Sequence, residues 1–481
     1  MVVGSAAVSV PPEAGDASRL EPWELMAEAS RAAAADAGAP ALLGRAGLVV
    51  VPRGSWPHRD PGRLVADAVG AGTARTLVTD IGILQTTVLG RAASAVQAGH
   101  ADVVLVTGAE ARHRHRRLEA SGLAPSYAES GSEPDEVMRP TGRIISEDEV
   151  RVGLVSAAAQ YALIENARRG AAGSSIEDHG RQVAELWARF NAVAVSNPQA
   201  WFPRPMAADE IASAEGGNRW ISFPYRKWEV SQWNVDQGAA FIVCSVETAR
   251  ALGVPVERWV FLHTLAESNH MIPVSERADV HRSPGFALAG RAGLEGAQVG
   301  VDDVALLDLY SCFPVAVSVQ AAEMGIASER ALTITGGMTF AGGPLNNYVL
   351  QSGAAMTRAL REAPGELGML TAVSGLLTKQ GVLILGSRPA PGPFRAVDVS
   401  AEVARLPTVS VRADASGAAP VVTYTVVYER DEPARGVVLT ELGRAGRALA
   451  STRDPETMSA MLAEEWIGRT VQLDGAGGFT A

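Results

Sequence analysis

The chain has 481 residues, 47% of them hydrophobic and 20% charged, with a net charge of −11 and only two cysteines, Cys244 and Cys312. Such a length exceeds one hydrophobic core, so two or three domains are expected, and the acidic balance argues against a general nucleic-acid binder. Two cysteines make no disulfide framework, the apolar start lacks a basic segment and meets Pro11-Pro12-Glu13, and no run nears the roughly 18 apolar residues of a membrane span, so a cytoplasmic protein with no membrane contact is expected.

In chain order, residues 2–10 read as a strand and 21–37 as an alanine-rich helix that Gly38 stops. A buried strand over 47–51, a helix over 60–71 and a strand over 76–79 follow. Asp80-Ile81-Gly82-Ile83-Leu84-Gln85 then leads into a helix over 86–98, ended by Gly99, and a strand over 101–106. Alternating helices and buried strands predict a mostly parallel sheet covered on both faces. From 111 to about 224 the character changes to a basic cluster, Arg112 to Arg117, then acidic and serine-rich sequence, then helices such as 176–194 punctuated by tryptophan and proline. This reads as an inserted, irregular helical lobe.

Sheet character returns over 238–244, with a helix over 246–252 and a strand over 259–262. The second half repeats the first. A helix over 285–293 precedes the strand 304–307 as the helix 21–37 precedes 47–51, and 381–386 echoes 101–106. A spacing of about 250 residues means a duplicated domain. After the proline-rich linker 389–393, residues 396–481 read as short strands and one helix, a small β-barrel. From Arg405 onward it holds 8 basic and 10 acidic residues, a poor nucleic-acid surface and a better packing or partner module.

The most chemically suggestive stretch runs from Asp308 to Tyr348. Asp308-Leu309-Tyr310-Ser311-Cys312-Phe313-Pro314 sets polar and reactive groups at the end of a buried strand, where open α/β sheets hold ligands, with Pro314 in the first helical turn. Gly336 to Tyr348 is a glycine-proline-asparagine loop whose amides can approach a bound group. The two loops predict one pocket. Tyr310 is a candidate acid/base or carbonyl donor, or else a tyrosine capping a strand end. Cys312 is a candidate reactive thiol or a small buried hydrophobe. Tyr348 is a further catalytic candidate. Gly342, Gly343, Pro344, Asn346, Asn347, Lys379 and Gln380 are candidate substrate contacts. For the asparagines the plainer alternative is turn chemistry, for Lys379 a solvated surface lysine, and for Arg112–Arg117 a solvated loop. The eight histidines show no metal-ligand spacing, so no metal site is expected.

Asn197-Pro198-Gln199-Ala200-Trp201, Phe223-Pro224-Tyr225-Arg226-Lys227, Val235-Asp236-Gln237-Gly238, His281-Arg282-Ser283-Pro284, the two loops and Leu377-Thr378-Lys379 together resemble the thiolase superfamily. The specific resemblance, over essentially the whole chain, is to its thiolase-like type 1 group, the actinobacterial acetyl-CoA acetyltransferase-like proteins with an extra C-terminal domain. It implies a duplicated α/β/α/β/α fold of halves 1–250 and 251–390, a loop domain inserted at about 111–224, an OB-like barrel over 396–481, and acyl-CoA as ligand with no resident cofactor. The family's nucleophilic cysteine falls at Gly82, its Gly-His-Pro histidine at Gly343, and the residue that leads its other motif at Tyr310. Its second acid/base cysteine lies near Ser374 or Gly375. Thiolysis through an acyl-cysteine at the family position is therefore excluded. An acyl-CoA-binding, acyltransferase-like protein is expected. The alternatives are a non-catalytic acyl-CoA-binding or complex-forming protein, or a tyrosine-dependent carbon–carbon lyase akin to the steroid side-chain aldolases. A homodimer, or a partner docked through the C-terminal domain, is also open.

Overall fold

The computed structural model describes residues 1–11 and 20–481; Pro12-Glu13, part of the argument against a leader, lies outside them. The first sheet runs Val2–Ser9, Asp236–Cys244, Val103–Ala111, Ala46–Pro52, Arg75–Thr79, Glu136–Met138. Asp236–Cys244 is antiparallel to both neighbours, and the other pairs are parallel. The apolar runs are continuous because both faces are covered. Along Val103–Ala111, Val103 and Leu105 face the helix Pro22–Asp36 while Val104 and Val106 face the interior between the sheets.

The second sheet runs Val304–Asp308, Leu367–Ser374, Lys379–Gly386, Phe261–Asn269, Arg395–Asp398. Lys379–Gly386 is its antiparallel member. The helices Gln85–Gln97 and Tyr348–Glu362 lie between the sheets, and Pro284–Ala297 covers the outer face of the second. The duplication is real, but one predicted correspondence shifts. Lys379–Gly386 matches the antiparallel Asp236–Cys244, and the counterpart of Val103–Ala111 is Leu367–Ser374, a strand absent from the sequence reading. Runs buried on both faces look alike in sequence, so composition does not set their order.

The segment between Ala111 and Asp236 is helical, as expected, but not separate. Arg112–Ala120 is a helix rather than a loop, and Glu136–Met138 pairs with Arg75–Thr79, covering an exposed edge. Trp220–Ser222 pairs with Ser416–Glu429 of the C-terminal sheet. That antiparallel sheet is completed by Glu432–Glu441, Arg447–Thr452, Thr470–Asp474 and Phe479–Thr480, and a bridge between Ser451 and Gly478 joins its two edges. Arg395–Asp398, read from sequence as the start of the tail, belongs to the second sheet. The helix Ala157–Ala171 holds the C-terminal sheet to the body. Asn166 Nδ2 donates to the Tyr424 carbonyl at 2.8 Å, and Thr423 Oγ1 to the Leu163 carbonyl at 2.7 Å. Arg169, 1% exposed, pairs with Glu465. Among the described residues no helix is long and apolar enough to cross a membrane.

Burial leaves a pH signature. Glu110 and Glu229, 2% and 1% exposed, have carboxyls that desolvation pushes from 4.5 up to about 7. The native state therefore holds protons that the unfolded chain releases, so stability falls as pH rises from 4.5 through about 7. The loss is on the order of 3 kcal/mol per group. Thermal unfolding across that window should show a falling Tm, and Glu110→Gln should flatten the profile. An unchanged profile in the variant would remove Glu110 from the account.

Candidate functional site

The strand Val304–Asp308 ends in a loop that the helix Pro314–Met324 continues, with proline at its first position. Side chains fix this loop: the Tyr310 N–H donates to Thr371 Oγ1 at 2.7 Å, and its carbonyl accepts from Gln320 Nε2 at 2.7 Å. Asp308, 1% exposed, ties the loop to the second one. It accepts from Thr333 Oγ1 at 2.7 Å, the Ile334 N–H at 3.0 Å, Thr335 Oγ1 at 3.1 Å and Tyr348 Oη at 3.0 Å. A strap over Val230 to Trp233 crosses both loops. The Ser231 N–H donates to the Cys312 carbonyl at 3.0 Å, the Gln232 N–H to the Met338 carbonyl at 3.1 Å, and the Gly343 N–H to the Gln232 carbonyl at 2.9 Å.

Between loops and strap lies a cleft of about 410 Å³. Five of the predicted residues line it: Gly82, Tyr310, Cys312, Gly343 and Asn346. Ser374 and Gly375 join them, as do Tyr161 from the inserted segment and Trp233 from the strap, neither of which carried a sequence signal. Tyr161 belongs to an alanine-rich helix and stacks on Phe313 at 4.3 Å. At the mouth stand Ile81 and Trp233, 49% and 47% exposed, with the Arg112 guanidinium 4.6 Å over the Trp233 ring.

The other predicted contacts lie elsewhere. Tyr348 is buried in the Asp308 network, its ring edge-on to Tyr310 at 5.8 Å, and with Gly342 it borders a separate cavity of about 230 Å³. Pro344 and Asn347 are off the cleft, and Asn347 Oδ1 points at Gly108. Gln380 turns into the core, donating to Ser283 Oγ at 3.0 Å and the Leu377 carbonyl at 2.6 Å and accepting from Ser268, which leaves nothing for a ligand. Lys379 is not a solvated lysine. It is 5% exposed, and its Nζ donates to the Gly82 carbonyl at 2.8 Å, behind the cleft wall.

Two absences are built in. Gly82 has φ +110°, and a Cβ there would lie 2.8 Å from Pro140 Cγ. A Cβ on Gly343 would lie 2.0 Å from Ser231 Oγ. A side chain at either position would thus meet proline or serine. Gly82 also precedes the N-cap, Leu84, so it sits ahead of the helix rather than in its first turn.

Two ionisable side chains among the predicted five line the cleft, Cys312 and Tyr310. Burial pushes the Cys312 thiol up to about 12, which outweighs the Tyr161 hydroxyl and nearby amide beside it, so the thiol is protonated at neutral pH. Tyr310 is 8% exposed, and its hydroxyl has no hydrogen-bond partner among the described residues. Burial, with Cys312 adjacent, raises its phenol well above the ordinary value. It is therefore suited to donate a hydrogen bond and unsuited to act as a base. Among the described residues no group of three His, Cys, Asp or Glu side chains is placed to hold a metal.

A monomeric SCP2-thiolase-like protein type 1 from Mycobacterium smegmatis is 30% identical and superimposes with a TM-score of 0.83, covering 100% of this chain and 98% of its own. The chain belongs to the SCP2-thiolase-like type 1 family. A model of the thiolase-like protein type 1 additional C-terminal domain matches residues 398–477. Human mitochondrial 3-ketoacyl-CoA thiolase is 15% identical with a TM-score of 0.57, covering 81% of this chain and 98% of its own. The Ltp2–ChsH2(DUF35) aldolase is 22% identical with a TM-score of 0.59, covering 80% of this chain and 97% of its own. These last two share the thiolase fold with this family member, and no curated protein sequence matches it.

Proposed function

We propose that the protein binds an acyl-coenzyme A thioester in the cleft and polarises its carbonyl through Tyr310, in an acyltransferase-like role without an acyl-cysteine. One observation carries this reading. The cleft gathers Gly82, Tyr310 and Gly343, the positions to which the resemblance assigns the family's reactive groups, while Pro140 and Ser231 crowd positions 82 and 343 and Tyr310 is left as an unpartnered donor. The apolar mouth at Ile81 and Trp233 suits a pantetheine arm, and Arg112 over Trp233 supplies positive charge for the phosphates. The two free thiols suit the reducing cytoplasm.

The acceptor's nucleophilic atom would then attack the thioester carbonyl with the developing oxyanion held by the Tyr310 hydroxyl, and the carbon–sulfur bond would break as the acceptor's proton passes to the departing coenzyme A thiolate. Calorimetric titration with coenzyme A and a panel of acyl-CoAs tests this. Tyr310→Phe should weaken acyl-CoA binding about five- to tenfold, the value of one hydrogen bond, and leave free coenzyme A unchanged. Equal losses for both ligands, or none, would remove the carbonyl contact. Mass spectrometry after incubation with acetyl-CoA should show no acylated chain.

A further inference from the structure

The loop over 336–348 has two faces. Gly343 lines the cleft, whereas Ala341, Gly342 and Tyr348 wall the separate cavity of about 230 Å³. The strand Val2–Ser9 closes that cavity on another side with Ser5 and Ala6. The helix Tyr348–Glu362 supplies Gln351, Ala354 and Arg358, which lie three and four residues apart and so share one helical face.

Several polar groups in this lining are unused. Ser5 and Gln351 are each 8% exposed. The Ser5 N–H donates to Asp36 Oδ2 at 3.0 Å and Gln351 Nε2 to the Gly238 carbonyl at 3.5 Å. The Ser5 hydroxyl and the Gln351 side-chain carbonyl have no partner among the described residues, and Gln199 is bonded only through its backbone. Buried polar groups ordinarily find partners, so these call for a polar guest. The charges do not cancel either. Asp36, the one carboxylate in the lining among the described residues, is taken up by Arg361 at 2.7 Å and Arg258 at 3.3 Å. Arg361 donates its remaining nitrogens to the Val3 and Arg258 carbonyls. Arg358 alone keeps an exposed guanidinium with no partner among the described residues. It also borders an outer depression of about 390 Å³, and so stands where the cavity opens.

We infer that this cavity binds a small polyhydroxylated monocarboxylate, a molecule of the sugar-acid class. Its carboxylate pairs with Arg358, and its hydroxyls meet Ser5, Gln199 and Gln351. One free guanidinium selects one planar anion, which it can hold through two parallel hydrogen bonds. The buried hydroxyl and amide select the rest of the guest, because an apolar one would leave them unpaired. The volume lies below the roughly 300 Å³ at which drug-sized pockets begin, too small for a long chain or a nucleotide. The inference does not rest on the thioester reading, because the loop separates the two cavities. A bound guest braces that loop from behind, at Tyr348, whose hydroxyl is held by Asp308.

The test is calorimetric titration of the full chain with gluconate, beside hexanoate, which lacks the hydroxyls, and glucose, which lacks the carboxylate. Gluconate should bind at a single site, and each control about fivefold more weakly or worse. Arg358→Ala, at an exposed position that a folded chain accommodates, should weaken gluconate about fivefold or more, and Gln351→Leu by a similar factor. Tyr310→Phe should leave it unchanged. No saturable gluconate binding, a control that binds as tightly, binding indifferent to Arg358→Ala, or binding lost with Tyr310→Phe would overturn the inference. Gluconate binding by a chain that fails to bind acetyl-CoA would uphold it and sink the thioester reading alone.

Discussion

A chain carrying Gly82→Cys and Gly343→His is expected to lose stability and gain no thiolysis. At φ +110° a residue with a Cβ is strained, by about 1–3 kcal/mol. The new atoms would also meet Pro140 at 2.8 Å and Ser231 Oγ at 2.0 Å. Overpacking of this kind costs about 1–3 kcal/mol at each site, so a total of about 3–9 kcal/mol is expected. Urea denaturation reads the loss. Adding Ser231→Gly should recover part of it, because the histidine clash is with a side chain, whereas nothing but a change of backbone relieves Gly82. The chemistry fails for a further reason. Position 82 precedes the N-cap at Leu84, so a thiol there lacks the first-turn amides that favour thiolate. A stable double variant that accumulates an acyl-cysteine on incubation with acetyl-CoA would contradict this account of the family's lost chemistry.

Asp308→Ala is expected to cost about 3–5 kcal/mol and to release the second loop. The carboxylate is 1% exposed and accepts from Thr333, Ile334, Thr335 and Tyr348, so its removal orphans several buried donors at once. Asp308→Asn keeps one acceptor oxygen but turns an amide NH₂ toward hydroxyl and N–H donors, and should fall between Ala and wild type. Tyr348→Phe removes one arm and should cost about 1 kcal/mol. Hydrogen exchange should localise the change to residues 333–348. Tyr348 is thus predicted to matter for architecture and not for chemistry: if Tyr348→Phe abolished acyl-CoA binding while leaving stability intact, that division of labour would fail. The same network explains why the two loops act as one unit. Strand end, second loop and helix Tyr348–Glu362 meet on a single carboxylate.

The sequence carried most of the fold. Buried strands were legible because sheets covered on both faces demand unbroken apolar runs, and the alanine-rich helices because propensity and Gly stops agree with their packing. The same uniformity hid their order. Residues 381–386 and 101–106 look alike, yet one is the antiparallel centre of its sheet and the other is not. Short strands also escaped notice, since Glu136–Met138 and Trp220–Ser222 are defined by the sheets they complete rather than by any period of their own.

For the site, the residues alone determined what is missing: no cysteine at 82, no histidine at 343, and a tyrosine at 310 beside them. They also placed the first loop at a strand end, because a buried strand that stops at polar groups has few other places to put them. Only the tertiary structure decided which neighbours share a space. It brought Pro140 and Ser231 against positions 82 and 343, turned Lys379 and Gln380 away from the cleft, and set Tyr161 and Trp233 into its walls. Burial and hydrogen-bond partners are properties of long-range packing, and a one-dimensional pattern does not contain the distances between residues 140 and 82 or 231 and 343.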